Sequence, residues 1–154
     1  MEFLAYTILI GCGATAVTDL WALARRRVMG IPLPSFALVG RWIAHMPCGT
    51  FRHDSIAAAP RMRGERLIGW TAHYFIGMAF AALLLGIWGL DWIREPRLGP
   101  ALIVGVATAA APIFLMQPAM GMRNAARLQS LVTHAIFGVG LYAAGRVSHL
   151  FFNS

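Results

Sequence analysis

An all-α bundle of four membrane-crossing helices is the fold this sequence predicts, and three observations predict it. Apolar residues make up 58% of the 154-residue chain and charged residues only 12%, against about 25% charged in an ordinary soluble domain. Mean hydropathy is +0.65, and a chain this small has too much surface to cover with so few charges. Four segments are apolar over the length that crosses a bilayer, about 20 residues each. The basic residues, all arginine, sit between those segments and not within them.

The first span is read over 3–24. The chain opens Met1-Glu2 and places Arg25, Arg26 and Arg27 after the apolar run, the reverse of a cleavable signal peptide. That order puts the N-terminus outside and the arginine end in the cytoplasm. The loop over 25–66 is then cytoplasmic and is not a plain linker. It contains SFALVGRWIAHM, with Ser35 placed to cap a short helix after Pro34. Pro47 and Gly49 end that helix, and its apolar residues suit a segment lying in the interface. Asp54-Ser55 followed by Ile56 to Pro60 reads as a second short capped helix. A loop of this length with structure of its own points to function.

The second span is read over 67–88, with an external turn from Asp91 to Arg97. The third, over 100–116, and the fourth, over 128–145, are short and rich in Ala and Gly, which lets helix backbones approach closely. No span carries a Gly-Pro break at its midplane, Pro112 being the nearest candidate. The turn over 117–127 returns to the cytoplasm. Ten arginines then lie inside (25, 26, 27, 41, 52, 61, 63, 66, 123 and 127) and three outside (94, 97 and 146). Both termini are external, periplasmic in a bacterial inner membrane. The +7 net charge is explained by this inside excess of arginine, so no nucleic-acid partner is expected.

Two stretches read alike: RLIGWTAHYFIG, Arg66 to Gly77, and RLQSLVTHAIFG, Arg127 to Gly138. Arg, Leu, His and Gly recur at one offset of 61. More weakly, Leu9-Ile10 with Ala14-Thr15-Ala16 matches Leu102-Ile103 with Ala107-Thr108-Ala109. Repeats are sought before other features, and these matches suggest two helical hairpins of common design. Both run inward and then outward, so they are parallel repeats about an axis along the membrane normal. Chance is the rival, since Ala, Leu and Gly matches are common in apolar sequence. On the repeat reading His73 and His134 sit at equal depth and face each other, with Gly77 and Gly138 one turn further on.

Ionisable residues inside a span are costly and therefore functional candidates. Asp19, His73 and His134 qualify, all toward the cytoplasmic half. Gln117 sits at the same edge, and His45, His53 and Asp54 in the loop can fold back toward it. Two histidines on facing helices suit axial haem ligation, and histidine with carboxylate suits a metal ion. Asp and His chains equally serve proton paths. The bland alternative is that each bonds a neighbouring carbonyl or arginine. Met46, Met62, Met116, Met120 and Met122 near the same edge suit copper(I), but methionine more often fills gaps. Trp21, Trp42, Trp70, Trp88 and Trp92 fall near span ends as interfacial anchors do. Cys12 and Cys48 follow no zinc or redox spacing. GCGATA lies inside a span and follows no strand, so it is not a dinucleotide fingerprint.

TDLWALARRR (Thr18–Arg27), LVGRWIAHMPCGTFRHDSIAAAP (Leu38–Pro60), RGERLIGWTAHYFIG (Arg63–Gly77), FLMQPAMG (Phe114–Gly121) and THAIFGVGLY (Thr133–Tyr142) resemble the small bacterial integral-membrane proteins of domain-of-unknown-function family 2938. The likeness covers nearly the whole chain. It implies a multi-spanning inner-membrane protein and no activity, and no catalytic residue is carried over from it.

One functional reading leads and two stand as its alternatives. The first is metal or haem binding through His73 and His134, with Asp19 nearby, in redox or metal handling. The second is a proton-coupled small transporter or permease-like subunit using Asp19 and the histidines. The third is a non-catalytic accessory subunit of a larger membrane complex. The lipid bilayer is the one partner all three require; a homo-oligomer or larger complex is expected for the last two.

Overall fold

In the computed structural model, residues 1–122 and 125–152 are described, and among them every regular element is helical. The elements are α1 (Glu2–Met29), α2 (Phe36–His45), α3 (Glu65–Trp88), α4 (Asp91–Arg94), α5 (Leu98–Thr108), α6 (Gln117–Ala119) and α7 (Ala125–Phe152). Four stretches are long and apolar enough to cross a membrane: Glu2–Met29, Glu65–Trp88, Leu98–Ala119 and Arg127–Leu150.

These spans exceed their sequence-based bounds, the first three mainly at the loop-side end and the fourth mainly at its far end, where it runs to Leu150. The first was expected to stop near residue 24, but arginine is a good helix former and the helix continues through Arg25, Arg26 and Arg27. It ends only where Gly30 adopts the left-handed conformation, φ 67°. The third span passes residue 116 and reaches Ala119 by a different route. Behind α5 the helix widens to a π turn over Ala111–Met116, with Pro112 at its start, before α6 closes it. Proline lacks an N–H and crowds the preceding turn, and a π turn is one way a helix absorbs that. Pro112 therefore does interrupt the span. In the loop, Ser35 precedes α2 but makes no side-chain capping bond. The segment expected as a second capped helix is a set of turns, with Ala58 N bonded to Ser55 O. Arg123, counted among the inner arginines, lies outside the described residues.

Small residues decide how the helices meet. α1 crosses α3 at Gly11, where a Cβ would lie 2.5 Å from Met78 Cα, and at Gly77, where one would strike Thr15 Oγ1. α5 crosses α7 at Gly105, where a Cβ would lie 2.6 Å from Gly138 Cα. α1 and α7 meet through Gly140 on Ala14 and Gly13 on Ala144. The bundle is thus α3–α1–α7–α5, with only slight contact between α3 and α5. Helices in lipid gain little from burying apolar side chains against each other, so close backbone packing carries the association. The larger side chains turn outward: Leu67 is 74% exposed and Phe75 67%, as lipid-facing residues should be.

The apolar core, including Ile10, Leu84, Leu85, Val104, Phe137 and Leu141, is completed by Trp92 and Ile93 from the short turn after α3. It therefore fills the end of the bundle away from the long loop. The loop-side end holds the buried arginines, Arg25 and Arg41, and Gln117. There α2 lies on α3, its Gly40 and the Gly69 of α3 so close that a Cβ on either would collide with the other helix's backbone.

Candidate functional site

Asp19 and His73 meet because of where α1 and α3 cross. Counting 1.5 Å per residue, Asp19 lies about 12 Å beyond Gly11 and His73 about 6 Å before Gly77, both toward the loop end. Side chains lean toward the N-terminus of their own helix. The two helices are antiparallel, so the Asp19 and His73 side chains lean toward each other. His73 Nε2–H donates to Asp19 Oδ1 at 3.0 Å, and Tyr74 O–H donates to Oδ2, also at 3.0 Å. Both carboxylate oxygens are thus engaged, with Asp19 23% and His73 20% exposed. A ring from α2 covers the pair: Phe36 stacks on His73 with centroids 4.0 Å apart, and Trp70 meets the same imidazole edge-on.

His134 has a different neighbourhood. Thr108 O–H donates to Gly105 O at 2.8 Å, spending its one proton. His134 Nδ1–H therefore donates to Thr108 Oγ1, 3.1 Å away. The ring lies against Phe80 and Phe137, with centroids 6.0 and 6.4 Å away. Phe80 is seven residues beyond His73, about 10 Å along α3. The expected facing of two imidazoles at one depth is replaced by two histidines on different partners. His73 is held by α1 and α2, and His134 by α5 and the middle of α3. Among the described residues no three His, Cys, Asp or Glu side chains are grouped so as to hold a metal ion.

The other candidates divide likewise. His45 and His53 touch edge-on, centroids 5.0 Å apart, and His45 Nε2 lies 3.0 Å from Pro60 O. Asp54 is exposed; its backbone carbonyl is what closes on Gly121. Gln117 is buried and donates to Ser130 Oγ at 2.7 Å, tying α6 to α7. His53 N bonds Ala119 O at 2.8 Å and Ile56 N bonds Met120 O at 3.0 Å, so the loop docks on the end of the third span. Cys12 and Cys48 are unpaired thiols.

Sequence reasoning missed Tyr74, Phe36, Glu65 and the special position of Arg41. Arg41 is 6% exposed. Its Nε and Nη2 donate to the two oxygens of Glu65 at 2.8 and 3.0 Å, and its Nη1 to the carbonyls of Ile56, Ala57 and Ala59. That bond to Glu65 holds the guanidinium proton more tightly than usual. A signal existed: between residues 20 and 90 the only acids are Asp54 and Glu65, against eight arginines. Arg25, 7% exposed, lies over Trp21. Its Nη1 and Nη2 are 3.0 and 3.2 Å from the amide oxygen of Gln129 in the orientation that satisfies both.

A family model described as "Protein of unknown function (DUF2938)" matches residues 8–148. No curated protein and no solved structure matches the chain.

Proposed function

Starting from the premise that the chain belongs to the DUF2938 family, a family of unknown function, we propose that it is a proton-coupled permease-like subunit whose protonatable centre is Asp19 with His73 and Tyr74. One observation carries the reading. A carboxylate inside a span accepts one hydrogen bond from an imidazole and one from a phenol. Intramembrane carboxylates paired with histidine are the usual parts of proton relays.

The chemistry follows from the geometry. As a carboxylate, Asp19 accepts from both donors and ties α1 to α3. Protonated, it has lost the charge that made those bonds strong, and the oxygen that takes the proton becomes a donor, so the partner on that side, His73 at Oδ1 or Tyr74 at Oδ2, must turn. Any movement of the His73 ring is felt by Phe36 and therefore by α2. The π turn behind α5 supports the same reading, because such turns recur at functional sites.

The orientation that goes with it keeps the arginine-rich loop in the cytoplasm of a bacterial inner membrane and both termini outside, supported by the arginine distribution. A pseudo-repeat of two hairpins is supported by the paired crossings, Gly11 on Gly77 and Gly105 on Gly138; the unequal contacts of α1 with α7 and α3 with α5 weigh against strict symmetry. Joint ligation of a metal or haem by His73 and His134 would require both imidazoles to leave their present surroundings.

The test is proton flux in liposomes carrying the purified protein and a trapped pH dye. Under an imposed gradient, Asp19→Asn should reduce protein-dependent flux at least tenfold while eluting as wild type does in size exclusion. Equal flux from the two would overturn the proposal. Stoichiometric metal, or a Soret band lost in His134→Ala, would favour the metal reading.

A further inference from the structure

The loop and the third span leave a groove between them. Trp42 and Phe51 form one side, fixed by a hydrogen bond from Trp42 Nε1 to Phe51 O at 2.9 Å. Phe114, Leu115 and Pro118 form the other, and Arg52 stands at the edge. Its volume is about 550 Å³, inside the range of about 300–1,000 Å³ usual for small-molecule sites. It is open to the side and not enclosed.

Three features identify its occupant. Phe114 and Leu115 belong to a span and are 75% and 66% exposed, so the groove is continuous with the lipid-facing surface. It lies at the loop-side end of that span. Its single charge is Arg52, which forms no ion pair among the described residues; neither does the exposed Asp54 two residues on. An apolar trough entered from the bilayer and closed by one unneutralised cation matches an acyl chain with a phosphate at its head. We propose that this groove binds one anionic phospholipid of the loop-side leaflet, its acyl chain between Trp42 and Phe114 and its phosphate on Arg52. Held there, the lipid bridges the docked loop and the π-wound segment of the third span. The site is separate from the Asp19 centre.

Brominated acyl chains quench tryptophans that they touch, and the Trp42 signal is isolated as the difference between wild type and Trp42→Phe. The purified protein is placed in mixed vesicles in which either phosphatidylglycerol or phosphatidylcholine carries the bromine. Quenching of Trp42 should favour phosphatidylglycerol about fivefold, as one basic residue at a membrane surface provides. The preference should vanish in Arg52→Gln and survive in Arg52→Lys. Equal quenching by the two lipids, or a preference that Arg52→Gln leaves intact, overturns the proposal. Arg52 is exposed, so neither variant threatens the fold.

Discussion

At the scale of the residue, Arg41 does more than any other side chain to give the long loop a shape. It gathers three backbone carbonyls of the loop and the Glu65 carboxylate onto one guanidinium. Glu65 in turn accepts from Met62 N at 3.0 Å, so the strand of chain entering α3 is fixed by the same pair. Lysine cannot replace a planar fork that serves five acceptors. Arg41→Lys and Arg41→Gln should both leave the four spans intact and free the loop. Limited trypsin digestion after Arg61 and Arg63 should then run several times faster than in wild type. An unchanged digestion rate would mean that the loop is held mainly by its contacts with Ala119 and Met120. Asp19 and His73 were legible as candidates because ionisable groups stand out in an apolar run. Their partner Tyr74 was not, because a tyrosine near a span end reads first as an interfacial anchor.

At the scale of the element, the crossings of α1 with α3 and of α5 with α7 rest on glycine. At Gly77 any side chain meets Thr15 Oγ1, itself bonded to Gly11 O at 2.8 Å. Gly77→Val must push the helices apart or break that bond. Overpacking of this kind costs about 1–3 kcal/mol, and thermal unfolding in detergent should move to lower temperature by several degrees. A transition at the wild-type temperature would show that α3 shifts without cost. Because Asp19 and His73 depend on the same crossing, the variant should also lose proton flux. Span number and order were readable from hydropathy, but the span ends were not. Charge marks where a chain leaves the apolar phase, whereas the helix ends where its hydrogen bonding ends, and α1 carries three arginines past that boundary. The π turn escaped notice for a related reason: Pro112 signals a disturbance, while the neighbours decide its form.

At the scale of the whole molecule, the bundle is divided by chemistry along its length. One end is closed by an apolar core, and the other holds Asp19 with His73, the loop histidines His45 and His53, the buried arginines and the structured loop. The proposed orientation makes a direct prediction. Cys48 is exposed in that loop and Cys12 is half-buried within a span. A membrane-impermeant maleimide should leave the protein unlabelled in spheroplasts and label one thiol, Cys48, in inverted vesicles. Labelling in spheroplasts would invert the topology. The placement of His134 shows where sequence stopped short. The echo between the two His-Gly stretches is one of sequence, whereas partners are set by which helices lie beside them, and α3 and α7 have unlike neighbours.

The widened turn in the third span has a consequence in rotational phase. Each residue of an α-helix advances about 100° around its axis, and a π turn takes up roughly one residue more than an α turn does. The segment beyond Met116 is therefore out of phase with α5 by about that angle. Wound straight through, the span would turn Gln117 away from Ser130 and carry Ala119 and Met120 off the azimuth at which His53 and Ile56 bond to them. The third span thus acts as two faces in series, one meshed with α7 and one addressed to the loop, with Pro112 at the dislocation between them.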